Sequence, residues 1–263
     1  MISEDHVIWE KSVDGNLDKV TVNKNGYVSA IVTGTTYKSV IITYDEKGNE
    51  LFKTYLSKTI AVDACVSPDN AEFAYAEVNN SGTTIQSNIK IISIKDVKEK
   101  NTEPKYEYNA AQGSLILRIK YQDKSRLICM YDDSIHKFET GVDVELTKLN
   151  EDNPKITFAD IELNNYIFRT YEKSTSLFSA DTIIEMQNTS NGKENVYTIE
   201  EVAKSVVSNN NVIAVNLGNE VYFVETNAWL IKRYSSSQVI EKIILGDGVA
   251  GIIYSDKIEI VNL

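Results

Sequence analysis

Apolar runs and turn-forming residues alternate along this chain with a long, regular period. Six times an apolar run meets a turn rich in Asn, Asp or Gly and is followed by a second apolar run, at residues 20–32, 60–78, 115–131, 156–171, 202–217 and 240–254. The first residues after these turns are Tyr27, Ala71, Ser125, Tyr166, Val212 and Val249, and successive markers lie 44, 54, 41, 46 and 37 positions apart. The runs carry β-branched and aromatic residues and no 3.6-residue period, so they predict strands. Each repeat reads as four of them. In the first repeat they fall at 17–22, 27–32, 40–44 and 51–55; in the fifth, the shortest, at 203–207, 212–217, 221–224 and 229–234. Turns such as Asn23-Lys24-Asn25-Gly26 and Asp45-Glu46-Lys47-Gly48-Asn49 separate them, and Gly48-Asn49 between β-rich runs is a strong hairpin signal.

Hydrophobicity also changes across a repeat. Second strands such as Val212-Ile213-Ala214-Val215 are continuously apolar, which predicts burial on both faces. Fourth strands such as Leu51-Phe52-Lys53-Thr54-Tyr55 mix polar with apolar residues, which places them at a solvent-facing rim. Six graded, four-stranded repeats of this period predict an all-β, six-bladed β-propeller. A seven-bladed propeller or a β-sandwich is the alternative. The 263 residues are used up by six blades, and no linker composition divides them, so one domain over 1–263 is expected. The final repeat has three strands, at 241–245, 249–254 and 257–263. Its fourth is available at 7–11, where Val7-Ile8-Trp9-Glu10-Lys11 matches Ala228-Trp229-Leu230-Ile231-Lys232 in pairing a Trp with a following Lys. An N-terminal strand closing the last blade is therefore expected. The least regular stretches are 98–104 and 170–179, which read as loops, and the acidic 141–154, which should hold the third repeat's outer strand and its exit loop.

Charge narrows the partners. The net charge is −11, with 27 basic and 38 acidic residues and no local Lys/Arg cluster, a field that repels nucleic acid and anionic lipid. No stretch of about 18 apolar residues exists, so this segment makes no membrane contact of its own. The polar first residues form no signal peptide. Cys65 and Cys129 belong to neither a CxxC pair nor a Cys/His cluster; buried free thiols are expected, with a bridge between them as the alternative.

Catalytic patterns are sparse. Only His6 and His136 occur, and no GxSxG, HExxH, P-loop, GxGxxG or EF-hand pattern is present, so no cofactor or metal is expected. Gly246-Asp247-Gly248 and Asp132-Asp133 read as turns, and His136 as a surface strand residue. One constellation stands out. Eight residues before the marker, with the turn one residue shorter in the third repeat and two shorter in the fourth, stand Lys19, Asp63, Arg118, Asp160, Lys204 and Glu241. Their charges alternate, and their place in innermost strands predicts a mixed-charge ring lining a central channel.

The Trp-apolar-Lys strands and the Ser67-Pro68-Asp69-Asn70 and Asp45-Glu46-Lys47-Gly48-Asn49 turns make the chain resemble the WD40-like and quinoprotein-like propeller superfamily. More narrowly, the Asn/Lys/Ile-rich, low-Cys texture is similar to a family of Firmicute propellers that carry a membrane anchor before an extracellular domain. The resemblance implies a cell-surface location through a segment not present here, the alternative being cytoplasmic. The Gly-His and Trp-Asp dipeptides of WD40 repeats and the Trp-docking motif of quinone-dependent dehydrogenases are missing, so no site residue carries over.

These readings converge on a monomeric, non-enzymatic binding, scaffold or sensor module for a protein or glycan ligand. The competing expectation is a glycoside hydrolase or lyase, for which Asp63, Asp160 and Glu241 are the candidate carboxylates.

Overall fold

Apolar strands cut by tight turns fold back on themselves, and among the described residues twenty-three of them form six antiparallel meanders in chain order. The computed structural model describes residues 6–98, 103–150, 154–177 and 179–263. The first sheet contains β1 (Asn16–Val22), β2 (Val28–Thr33), β3 (Ser39–Tyr44) and β4 (Glu50–Leu56). The second contains β5 (Ile60–Val66), β6 (Glu72–Asn79), β7 (Gln86–Ser93) and β8 (Tyr106–Asn109), and the third β9 (Ile116–Tyr121), β10 (Arg126–Tyr131), β11 (Ser134–Glu139) and β12 (Val142–Lys148). The fourth contains β13 (Ile156–Asp160), β14 (Tyr166–Ser174), β15 (Ala180–Asn188) and β16 (Glu194–Ile199). The fifth contains β17 (Ser205–Asn209), β18 (Val212–Asn216), β19 (Glu220–Glu225) and β20 (Leu230–Ser235). The last has three strands, β21 (Lys242–Leu245), β22 (Val249–Ile253) and β23 (Ile258–Asn262). A single helical turn, α1 (Ile94–Lys98), follows β7. Two units result, residues 1–147 with the first three sheets and 148–263 with the other three.

Within each unit, consecutive sheets enclose their own core. Ile31, Ile41, Ala64 and Phe73 pack between the first and second sheets, and Ala76, Ile89, Leu127 and Phe138 between the second and third. In the other unit, Phe168, Ile184, Ile213 and Val215 join the fourth sheet to the fifth, and Ala214, Phe223, Ala250 and Ile252 the fifth to the sixth. The central strands are buried on both faces because they have a neighbour on each, as the continuous apolar runs predict.

Polar side chains tie sheet to sheet where the chain crosses over. Ser39, at the start of β3, accepts a hydrogen bond from the Ala61 amide at 3.0 Å. Ser87 in β7 donates to the Ser114 carbonyl at 2.9 Å and accepts from the Ile116 amide at 3.4 Å. Thr182 in β15 accepts from the Ala203 amide at 2.8 Å and donates to the Glu201 carbonyl at 2.7 Å. Asn216, at the end of β18, donates to the Ile240 carbonyl at 3.1 Å and accepts from the Gly218 amide at 2.7 Å. All four side chains are buried, so each satisfies backbone groups that water cannot reach.

Two expectations are corrected. The segment 7–11 forms no strand: Val7 alone makes a bridge. The Trp9 ring lies instead against Tyr44, with centroids 5.6 Å apart, and its Nε1 donates to the Glu46 carbonyl at 3.2 Å. Gly48 permits this approach, since at φ +79° a Cβ there would come within 2.8 Å of the indole. Secondly, the first half of the predicted loop at 170–179 is strand, because β14 runs to Ser174 and pairs there with Ala180 of β15. The turns at Asp45–Asn49, Ser67–Asn70, Asn188–Gly192 and Gly246–Gly248 form as predicted. The outer strand expected within 141–154 is β12, while part of its exit loop and of the predicted 98–104 loop lies outside the described residues.

Both cysteines are free thiols, Cys65 in β5 and Cys129 in β10, and burial pushes the Cys129 thiol up from its ordinary pKa. Iodoacetamide at pH 8 should therefore leave Cys129 unlabelled in the native protein, whereas denaturation without reductant should expose two reactive thiols by mass spectrometry. Ser29 and Thr43, paired across β2 and β3, bury hydroxyls with no hydrogen-bond partner among the described residues. Thr43→Val, which keeps the shape and removes the hydroxyl, should raise stability by about 1 kcal/mol in urea titration.

Candidate functional site

The six charged positions predicted to line a channel occupy the innermost strands or the residues that lead into them. A β-bulge recurs there. The pairing of β1 with β2 skips Asp18, that of β5 with β6 skips Val62, and that of β9 with β10 skips Leu117. Lys19, Asp63 and Arg118 each follow the extra residue immediately and are structurally equivalent. In β13 the skipped residue is Thr157, so Phe158 is the equivalent and Asp160 stands two residues further on. β17 and β21 begin after Lys204 and Glu241 and pair in unbroken register, so these two charges precede their strands. Counting in sequence cannot see a bulge, because the extra residue changes the register without changing the pattern of residue types.

The structure brings three of these positions close together in the first unit. Asp63 is 2% exposed. Its Oδ1 accepts from Lys19 Nζ at 2.8 Å and from its neighbour's amide, Ala64, at 2.9 Å. Its Oδ2 accepts at 2.9 Å from the amide of Ile119, the residue after Arg118. One carboxylate thus pins three adjacent innermost strands, β1, β5 and β9. Thr21 adds a hydrogen bond from β1 to the Ala64 carbonyl. The second unit repeats the device. Asp160 Oδ1 accepts from the Ile161 amide at 2.8 Å and Oδ2 from Ser208 Oγ in β17 at 3.0 Å. The Lys204 ammonium lies over Gly218, where a Cβ would come within 2.2 Å of Nζ, and Glu241 is exposed.

Two further charged groups sit in the second sheet. Glu77 is buried, with Oε1 2.7 Å from Lys90 Nζ and Oε2 accepting from Thr59 Oγ1 at 2.7 Å. Glu72 binds Lys105 Nζ at 2.7 Å and the Tyr121 hydroxyl at 3.2 Å, and burial holds that phenol well above its ordinary pKa. Their signal in the sequence is a lone charge inside an apolar run, as in Ala76-Glu77-Val78 and Ile89-Lys90-Ile91. A strand buried on both faces accepts a charge only beside a counter-charge. His136 on β11 hydrogen-bonds Asp143 through Nδ1 at 2.7 Å, and Asp132 and Asp133 occupy the β10–β11 turn. Among the described residues no group of three His, Cys, Asp or Glu side chains has the arrangement to hold a metal ion.

Antiparallel meanders packed face to face within each unit are consistent with a β-propeller, and solved structures agree. The chain is similar to Hsv2p of Kluyveromyces lactis, with 10% identity and a TM-score of 0.59 over 94% of this chain and 74% of that one. It is also similar to the β-propeller domain of the Trilobed protease from Pyrococcus furiosus, with 11% identity and a TM-score of 0.57 over 93% and 82%. The C-terminal WD40 domain of Sif2 gives 10% identity and a TM-score of 0.51 over 94% and 81%. At these identities the likeness is one of fold, a WD40-like propeller. The chain belongs to DUF5711, described as a family of unknown function, whose model matches residues 1–263. No curated protein matches its sequence.

If Asp63 is a structural pin, its loss should be costly. Asp63→Ala strands the Ile119 amide and the Lys19 ammonium, and should lower stability by about 3 kcal/mol in denaturant titration. Lys19→Met leaves the carboxylate two backbone donors and should cost about 1 kcal/mol.

Proposed function

We propose that this protein is a non-enzymatic binding or scaffold module, one propeller domain over residues 1–263 whose six sheets are its six blades. The observation that carries the reading is the state of Asp63. A general acid or base needs a carboxyl oxygen free to meet substrate, whereas three donors take up the two oxygens of Asp63. Asp160 likewise spends both oxygens on protein donors. Of the three carboxylates a glycosidase reading relies on, only Glu241 is exposed, and paired catalysis requires two. The charged inner strands then act as a register-fixing girdle around the axis. The module works as a monomer, and its ligand is a protein or a glycan held on rigid loops and strand edges.

In this reading the domain stands on the outer face of a cell, held by a segment not present here. The support is the resemblance of its Asn/Lys/Ile-rich, low-Cys texture to anchored Firmicute propellers. No helix among the described residues is long and apolar enough to cross a membrane. The test is incubation of the full chain with neutral and acidic polysaccharides and with peptide arrays. Retention of a ligand without new reducing ends or unsaturated products is expected. Product formation that Glu241→Gln abolishes would establish the enzyme instead.

A further inference from the structure

Two Asn-Gly dipeptides stand in turns of the fold, Asn25-Gly26 between β1 and β2 and Asn191-Gly192 between β15 and β16. The backbone treats them alike. Both glycines lie in the left-handed region, at φ +81° and +71°. Each donates its amide back across its own turn, Gly26 to the Asn23 carbonyl at 3.0 Å and Gly192 to the Asn188 carbonyl at 2.8 Å. Their surroundings differ.

Asn25 is held by the second sheet. Its NH2 donates to the Pro68 carbonyl at 2.6 Å and to Asn70 Oδ1 at 3.4 Å, and Gly26 is buried. Asn191 is exposed, and so is Gly192, where a Cβ would meet nothing within 4 Å. The Asn191 NH2 has no hydrogen-bond partner among the described residues. Its Oδ1 accepts from the Lys193 amide at 2.9 Å.

We propose that Asn191 is a site of spontaneous covalent modification, deamidating to aspartate and isoaspartate, while Asn25 in the same dipeptide is protected by the fold. The reaction needs only hydroxide and water. Hydroxide removes the Gly192 amide proton, and the nitrogen attacks Asn191 Cγ. The Cγ–Nδ2 bond then breaks, ammonia leaves, and a five-membered cyclic imide remains. Water opens that imide at Cγ to give aspartate, or at the main-chain carbonyl to give isoaspartate. Nothing is oxidised or reduced.

Three features of the turn favour the step at Asn191. Solvent reaches the glycine amide, so hydroxide can take its proton. The unheld NH2 leaves the side chain free to bring Cγ to the nitrogen, which a tethered side chain cannot do without first breaking its bonds. The Lys193 amide donates to the oxygen on which negative charge develops. Asn25 lacks all but the dipeptide itself. Conversion there would also set a carboxylate against two acceptors, the Pro68 carbonyl and Asn70 Oδ1, and so break the tie between the first two sheets. At Asn191 the product adds one negative charge to an exposed turn, and isoaspartate lengthens the β15–β16 connection by one main-chain carbon.

The test is ageing of the intact protein at mildly alkaline pH, native and in denaturing urea, followed by peptic digestion in acid, where the reaction stops, and mass spectrometry. In the native protein Asn191 should gain the amide-to-acid mass change about tenfold or more faster than Asn25, because two hydrogen bonds and a buried amide must open before Asn25 reacts. In urea the two should react at similar rates. Methylation of the aged native protein by an isoaspartyl methyltransferase should fall in Asn191→Ala, which removes the reacting side chain from an exposed turn. Equal native rates at the two sites, no conversion of Asn191, or undiminished methylation in Asn191→Ala would each overturn the proposal. A rate difference that persists in urea would assign the selectivity to neighbouring sequence and overturn the role given to the fold.

Discussion

Within each unit, where the chain leaves one sheet for the next it carries backbone N–H and C=O groups into a dry interface, and the rest of the fold depends on how they are met. At four crossings a single buried side chain meets them: Ser39, Ser87, Thr182 and Asn216. Leaving one such group unpaired costs about 1–3 kcal/mol, comparable with a large part of a domain's net stability. Apolar packing alone lets two sheet faces slide, since burial is non-directional. A hydroxyl bound to one particular amide does not. These ties therefore fix where each first strand begins, and the bulges and inner-strand contacts follow from that start.

The charged inner strands take on a different meaning in this light. Asp63 and Asp160 resemble candidate acids in sequence, but both have become local caps that also reach the next strand. A carboxylate is well suited to that role, because four lone-pair sites serve several donors at once. On the reading proposed above, the carboxylates that hold the sheets in register take no part in chemistry. Loops and rim strands outside that set expose large side chains such as Tyr37, Tyr55 and Trp229.

Much of the architecture is legible in the residues because it is written in periodicity. Runs such as Val212–Asn216 and turns such as Asp45–Asn49 obey local rules, and local rules survive folding. The charged set is legible only in part. Lys19, Asp63 and Arg118 fall on equivalent positions, whereas Lys204 and Glu241 do not, because bulges and turn lengths shift register without altering residue type. Trp9 misleads in the same way: its likeness to Trp229 is compositional, and the Gly48 turn offers its ring a better contact than a sheet edge. The serine and threonine ties, by contrast, leave a trace in Ser39-Val40-Ile41 and Thr182-Ile183-Ile184, where a small hydroxyl precedes an apolar run in a third strand. The Tyr37–Tyr55 ring contact leaves almost none, since its partners stand 18 positions apart and only the β3–β4 hairpin joins them.

Native-state hydrogen exchange at the Ala61 and Ala203 amides tests the central claim most directly. If buried hydroxyls set the sheet-to-sheet register, both amides exchange only through global unfolding. Ser39→Ala should then release Ala61, and Thr182→Ala should release Ala203, each to a faster local opening while strand centres stay protected. Unchanged protection of these amides in the alanine variants would contradict the account, and would mean that apolar packing alone positions the sheets.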